Sequence, residues 1–188
     1  MTRLLTLTLL GLSFASIAFA ADGCSSQFAF CPAREGLDGS FADCTQAPCE
    51  WKEGAATMTC SCRVKSNVAS VTSGTCQKGT SKGLQSRYSL VEEMGVCTSA
   101  TNRWGFCLDI QCGPGINGVT KCSCTTVTSS KYSSKQYVIV GGGPGLCAPN
   151  RYYSSATPSQ VLAATAALRC QQPHAVVVDP PIVWLTTP

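Results

Sequence analysis

His174 is the single histidine of the chain, and it falls in a proline-rich end segment. A Ser-His-Asp or Cys-His site would have to be built on that one imidazole. Zinc sites with several histidines are excluded, and no H-E-x-x-H motif occurs. The carboxylates are Asp22, Glu35, Asp38, Asp43, Glu50, Glu53, Glu92, Glu93, Asp109 and Asp179. Hydrolysis of a glycosidic bond needs one acid and one base or nucleophile across a cleft. Asp43 and Asp109 sit beside paired cysteines, but they are not equivalent in the repeat described below. They are expected to be solvated surface acids, with His174 a solvated tail residue and no catalytic residue assigned.

Other motifs are weaker. Gly141-Gly142-Gly143-Pro144-Gly145 lacks the Gly-Lys-Ser/Thr ending of a phosphate loop, and its proline removes a backbone donor. The C-x-C pairs carry sulfur at spacing close to that of redox motifs, yet they occur twice in a cysteine-dense chain, which favours a structural role. Trp51, Trp104, Tyr152 and Tyr153 are candidate stacking residues for a sugar or protein partner, weighed against simple core packing. Ser129–Tyr137 reads as an exposed, mildly basic loop. No metal and no cofactor is expected.

What must position these residues is set by the ends and the cysteines. The first twenty residues hold Arg3 as their one charge, then an apolar run ending in Ala18-Phe19-Ala20, the small-x-small pattern of a secretory signal. Cleavage after Ala20 is expected. Ala21-Asp22-Gly23 before Cys24 is a poor lipoprotein signal. The net charge of +4 falls to +3 without Arg3, too mild for a nucleic-acid footprint. Later apolar stretches are too short to span a membrane. All 14 cysteines lie beyond the signal. Thiols oxidise in the compartment that a signal implies, so disulfides are expected rather than thiolate metal clusters.

The cysteines fall into two sets with matching grammar. Cys44, Cys49, Cys60, Cys62, Cys76 and Cys97 form one; Cys107, Cys112, Cys122, Cys124, Cys147 and Cys170 form the other. FADCTQAPC lies over WGFCLDIQC, and GAATMTCSC over GVTKCSC. A repeat of this kind outranks local signals. The expected organisation is a signal at 1–20, an extension at 21–40, modules at 41–97 and 104–170, and an extended tail at 171–188. The fold class is small, disulfide-rich α+β: two tandem homologous modules, each a short hairpin or sheet with a short C-terminal helix. Strands are expected at Ala55–Val64 and Gly118–Thr128, with Asn117-Gly118 as a turn. Residues i and i+2 of a strand share a face, so Cys60 and Cys62 cannot bridge each other easily. The C-x4-C cysteines are expected to bridge to the C-x-C cysteines of the same module. Cys76–Cys97, Cys147–Cys170 and Cys24–Cys31 complete the expected set.

Helices are expected after Ser89, whose S-x-x-E sequence with Glu92 is a capping box running to about Gly95, and over Ser159–Arg169. There Thr157, Pro158 and Gln160 make a helix start, and Val161, Ala164 and Leu168 a narrow apolar stripe interrupted by Thr165. In the tail, Ala175–Val178 and Ile182–Leu185 are expected to lie across the chain's own fold, with a strand presented to a partner or a mobile tail as the alternatives.

DCTQAPC with TCSCRV, and FCLDIQC with KCSC, make the chain resemble small exported bacterial cysteine-rich proteins with duplicated C-x4-C…C-x-C modules and no assigned activity. The resemblance implies a scaffold and no catalytic residue. A secreted or periplasmic binding or structural protein follows, its partner a protein or cell-surface polymer and not nucleic acid. The alternatives are an inhibitor of an extracellular protease or hydrolase acting through Gly113–Lys121, and a polymer-degrading hydrolase using Asp or Glu.

Overall fold

Two long strands carry the cysteines inward. In the computed structural model, which describes residues 27–36, 39–90, 94–97, 103–128, 137–140, 150–171 and 182–185, β4 (Thr57–Lys65) and β10 (Val119–Thr128) pair antiparallel with Cys60 opposite Cys122. Their inward faces alternate with exposed residues: Met58, Cys60 and Cys62 on β4, and Thr120, Cys122 and Cys124 on β10, are buried. This is the period of two that the sequence shows, with half-cystines where a larger domain would place leucine or valine.

The flanking strands are short. β2 (Phe41–Asp43) pairs with β4, and β8 (Arg103–Phe106) with β10, both antiparallel. β6 (Leu84–Ser89) runs parallel to β2; β5 (Ser70–Thr72) and β1 (Ala29–Cys31) extend that edge. The sheet order is β1-β5-β6-β2-β4-β10-β8, with β3 (Pro48–Glu50), β9 (Gln111–Cys112) and β12 (Tyr152–Tyr153) paired alongside it. A separate three-stranded sheet joins β7 (Met94–Cys97), β11 (Tyr137–Val140) and β13 (Ile182–Leu185). β13 runs parallel to β7, so this part of the tail pairs with its own chain; residues 172–180 lie outside the described residues. Both cysteine sets contribute to one core, in which Cys44, Cys60, Cys62, Cys107, Cys122 and Cys124 pack with Met58 and Leu84.

Five disulfides join described residues. Cys44–Cys62, Cys49–Cys60, Cys107–Cys124 and Cys112–Cys122 link each C-x4-C turn to the C-x-C strand beside it, as the shared face of residues i and i+2 predicts. The fifth, Cys31–Cys76, replaces the expected Cys24–Cys31 and Cys76–Cys97 bridges. The reason is topological: β1 pairs with β5, and the chain leaving β5 carries Cys76 to within 5.6 Å of Cys31, Cα to Cα. Cys97 lies in the smaller sheet, and Cys170 is disulfide-bonded. Cys24 and Cys147 lie outside the described residues, as do residues 1–20.

The fold is mostly β, with one helix among the described residues, α1 (Pro158–Gln171). Its start obeys the sequence. Gln160 N–H donates to Thr157 Oγ1 at 3.3 Å and Thr157 N–H donates to Gln160 Oε1 at 2.8 Å, a reciprocal cap. Val161, Thr165, Ala167 and Leu168 are buried; Thr165 is tolerated there because its hydroxyl donates to Val161 O at 2.9 Å. The expected helix after Ser89 does not run to Gly95: Ser89 ends β6, Met94 and Gly95 belong to β7, and residues 91–93 lie outside the described residues. The Ser89 hydroxyl donates instead to Asp43 Oδ2 (2.9 Å), and its N–H donates to Thr45 Oγ1 (2.7 Å). Tertiary partners take the atoms a cap would use. Glu92 lies outside the described residues.

Two buried serines clamp the C-x4-C turns. Ile110 N–H donates to Ser86 Oγ at 2.7 Å, and that hydroxyl donates to Cys107 O. Ala47 N–H donates to Ser154 Oγ at 2.7 Å, and that hydroxyl donates to Cys44 O. Both serines are fully buried. Ser86→Ala or Ser154→Ala strands a buried amide and a buried carbonyl, so each is expected to lower stability by about 2–3 kcal/mol, read from the urea midpoint of the oxidised protein.

Candidate functional site

The four aromatic candidates separate into two environments. Trp104 on β8 is 0% exposed and packs edge-to-face on Phe106 with centroids 6.3 Å apart, so its ring is removed from any surface. Trp51 and Tyr152 come together at the β3–β12 junction, centroids 5.6 Å apart with the rings inclined at 66°. Trp51 Nε1 donates to Ala55 O at 2.8 Å, and the Arg103 guanidinium lies 4.4 Å over the Trp51 ring. Tyr153 is half-buried and follows Tyr152 on β12, so the strand turns it toward the other face.

The two acids beside the cysteines are engaged rather than solvated. Asp43, 6% exposed, contacts Lys65 Nζ at 2.6 Å and accepts from Thr45 N–H at 3.0 Å and the Ser89 hydroxyl. Asp109 accepts from Thr72 Oγ1, Ser73 N–H (2.7 Å), Ser73 Oγ and Gln85 Nε2 (3.1 Å). It thereby ties β5 and β6 to the second C-x4-C turn. Arg87 is buried beside it, with its guanidinium 5.4 Å over the Phe41 ring; burial pushes that group below its ordinary value while Asp109 opposes the shift. Glu35, Glu50 and Glu53 are exposed, as expected of surface acids. His174, Asp22, Asp38, Glu92, Glu93, Asp179 and Gly141–Gly145 lie outside the described residues.

Among the described residues, cysteine sulfur offers no open ligand. Cys44, Cys62 and Cys122 form one close group and Cys60, Cys107 and Cys124 another, with Sγ atoms within 4.8 Å of each other. Every one of these sulfurs is committed to a disulfide. The loop of the inhibitor expectation is a rigid hairpin closed by Cys112–Cys122. Asn117 and Gly118 both have positive φ (51° and 77°), the backbone their sequence predicts, and Ile116 projects with 67% exposure.

The feature that sequence reasoning missed is a partly open recess of about 50 Å³ between the sheet and α1. Its apolar lining includes Phe28, Val71, Phe106, Leu108, Val161 and Ala164; Thr45, Gln46, Ser89, Ser155, Gln160 and Thr165 are among its polar members. The residues come from β5, β8, α1 and the turns between, so no sequence window could have collected them. Tyr88 on β6 contributes its ring, and its hydroxyl is fully used: it accepts from Cys107 N–H at 3.1 Å and donates to Ser155 O at 2.8 Å.

Burial pushes the Tyr88 phenol well above its usual range of about 10, against a smaller opposing pull from the Cys107 backbone bond. The folded protein holds this proton more tightly than the unfolded chain, so stability is intact below the unfolded value and falls as pH rises above it. Raising pH from about 10 to 11 is expected to destabilise the native protein relative to Tyr88→Phe by about 1 kcal/mol, measured by paired urea titrations.

No known protein family, curated protein or solved structure matches the chain.

Proposed function

We propose that this chain is an exported, disulfide-held binding protein that seats an apolar group of its partner in the recess beneath α1. The observation that carries the reading is the lining: an opening walled by Phe28, Val71, Leu108 and Val161 gains nothing from water and accepts an aliphatic or aromatic group. The five described disulfides fit an oxidising, extracellular-type compartment. Among the described residues no helix is long and apolar enough to cross a membrane. The engagement of Asp43 and Asp109 in ion pairing and hydrogen bonds supports a binding role over a hydrolytic one. The rigid sulfur core supports it too, because a preorganised site loses little entropy when it is filled.

Toluene serves as a minimal stand-in for the apolar group. Titrating it into the oxidised protein is expected to move methyl resonances of Val71, Leu108 and Val161 at millimolar concentration. Ala164→Phe, which fills the recess from α1, is expected to abolish those shifts while the protein stays folded. Unmoved methyl resonances in the native protein at saturating toluene would end this reading.

A further inference from the structure

The pairing pattern around β4 and β10 is two-fold, and one of its breaks falls at the recess. Cys60 and Cys122 occupy the same position in the two cysteine sets, and they face each other across the antiparallel β4–β10 pair. An antiparallel pair in which equivalent residues are opposite has a local two-fold axis through them. The surrounding bonds obey that axis. Val64 N–H donates to Gly118 O at 2.8 Å, and its counterpart Thr126 N–H donates to Ala56 O at 2.9 Å. Gln46 and Asp109, third residues of the two C-x4-C turns, both have positive φ, 55° and 59°.

The serine clamps fit the same operation, with an exchange. Ser86 belongs to the first half and holds the turn of the second; Ser154 belongs to the second and holds the turn of the first. Their strands follow: Leu84 and Gln85 pair with Cys112 and Gln111, while Tyr152 and Tyr153 pair with Cys49 and Pro48. Each half lends the other one strand.

On this frame Cys44 corresponds to Cys107, and Arg87 to Ser155. Cys44 N–H donates directly to Arg87 O at 3.0 Å. The corresponding bond from Cys107 N–H to Ser155 O is replaced by the Tyr88 hydroxyl, which accepts from the first and donates to the second. The residue corresponding to Tyr88 is Ala156, which has no hydroxyl to insert. Ser155, Ala156, Phe106, Leu108 and Tyr88 all line the recess, so the break in the pattern and the recess coincide.

We infer that the two halves are copies of one unit related by this axis, and that Tyr88 is the positioning residue that opens the recess by standing in for a backbone bond. The ligand class it admits is a small uncharged ring or branched aliphatic end. This second statement rests on the binding role proposed above; the first does not.

The test separates them. Through-hydrogen-bond couplings in the oxidised, isotope-labelled full chain are expected between Cys44 N and Arg87 C′ and not between Cys107 N and Ser155 C′. Tyr88→Phe and Tyr88→Leu remove the hydroxyl; in either variant the Cys107–Ser155 coupling is expected to appear and toluene affinity to fall by about tenfold or more. A Cys107–Ser155 coupling in the native protein overturns the assignment to Tyr88, and an absent Cys44–Arg87 coupling overturns the two-fold relation. The assignment to Tyr88 also falls if the Cys107–Ser155 coupling is absent from folded variants whose toluene affinity is native. If the coupling appears in a variant but the native protein never bound toluene, the wedge stands and the binding role falls.

Discussion

Replacing Cys44 and Cys62 together with alanine is expected to cost about 4–5 kcal/mol and to lower the melting temperature by about 10–15 °C. The bridge closes a separation of 18 residues, which in the chain-entropy model is worth about 3 kcal/mol. The remainder comes from packing. Both cysteines are fully buried, and Cys44 Sγ lies 3.6 Å from Cys122 Sγ, so removal empties the centre of the core. The informative comparison is Cys31→Ala with Cys76→Ala. That bridge spans 45 residues, worth about 4 kcal/mol by entropy alone, but Cys76 is exposed, so only the Cys31 side chain empties a buried position, against two at the centre of the core for Cys44 and Cys62. The Cys44/Cys62 variant is therefore expected to be the less stable of the two in calorimetry. The reverse order would mean that the sulfurs constrain the unfolded chain and contribute little as core.

Asp109→Asn is the second large effect expected. The substitution keeps a residue that tolerates positive φ, so the backbone at 59° is unstrained and the change isolates the carboxylate. Asparagine presents one acceptor oxygen where the carboxylate presents two, and its amide nitrogen would face the Ser73 or Gln85 donors. Arg87 nearby would also lose a compensating charge. A loss of about 2–3 kcal/mol in denaturant unfolding is expected, and Asp109→Ala should add about 1–2 kcal/mol from backbone strain. A change near zero for Asp109→Asn would show that β5 is held by its strand pairing alone.

How much of this was legible depended on how local the signal was. The inward cysteines of β4 and β10, the Asn117-Gly118 turn and the Thr157 cap are each written within a few neighbouring residues, and each appears where its spacing places it. The Ser89 signal is equally local and fails, because Asp43 and Thr45 claim the same atoms from far along the chain. The four bridges from turn to strand could be reasoned from strand geometry; Cys31–Cys76 required knowing that β1 lies beside β5. The strands β6 and β12 are short, with no alternation to mark them, yet one clamp, Ser86, lies on β6 and the other, Ser154, directly follows β12. The recess needed the whole topology, and Trp104, a plausible surface aromatic by type, is enclosed by it.

The four central bridges each join residues 10 to 18 apart, whereas the strands they fasten meet across much longer stretches of chain. Under the export proposed above, the chain emerges amino end first, and this sets a timetable. Cys44, Cys49, Cys60 and Cys62 can be oxidised among themselves before Cys107 has emerged. The wrong partner that ends only 3.6 Å away, Cys122, arrives after the choice has been made. Early closure of short loops thus guards against scrambled isomers, and slow emergence becomes an aid to correct pairing.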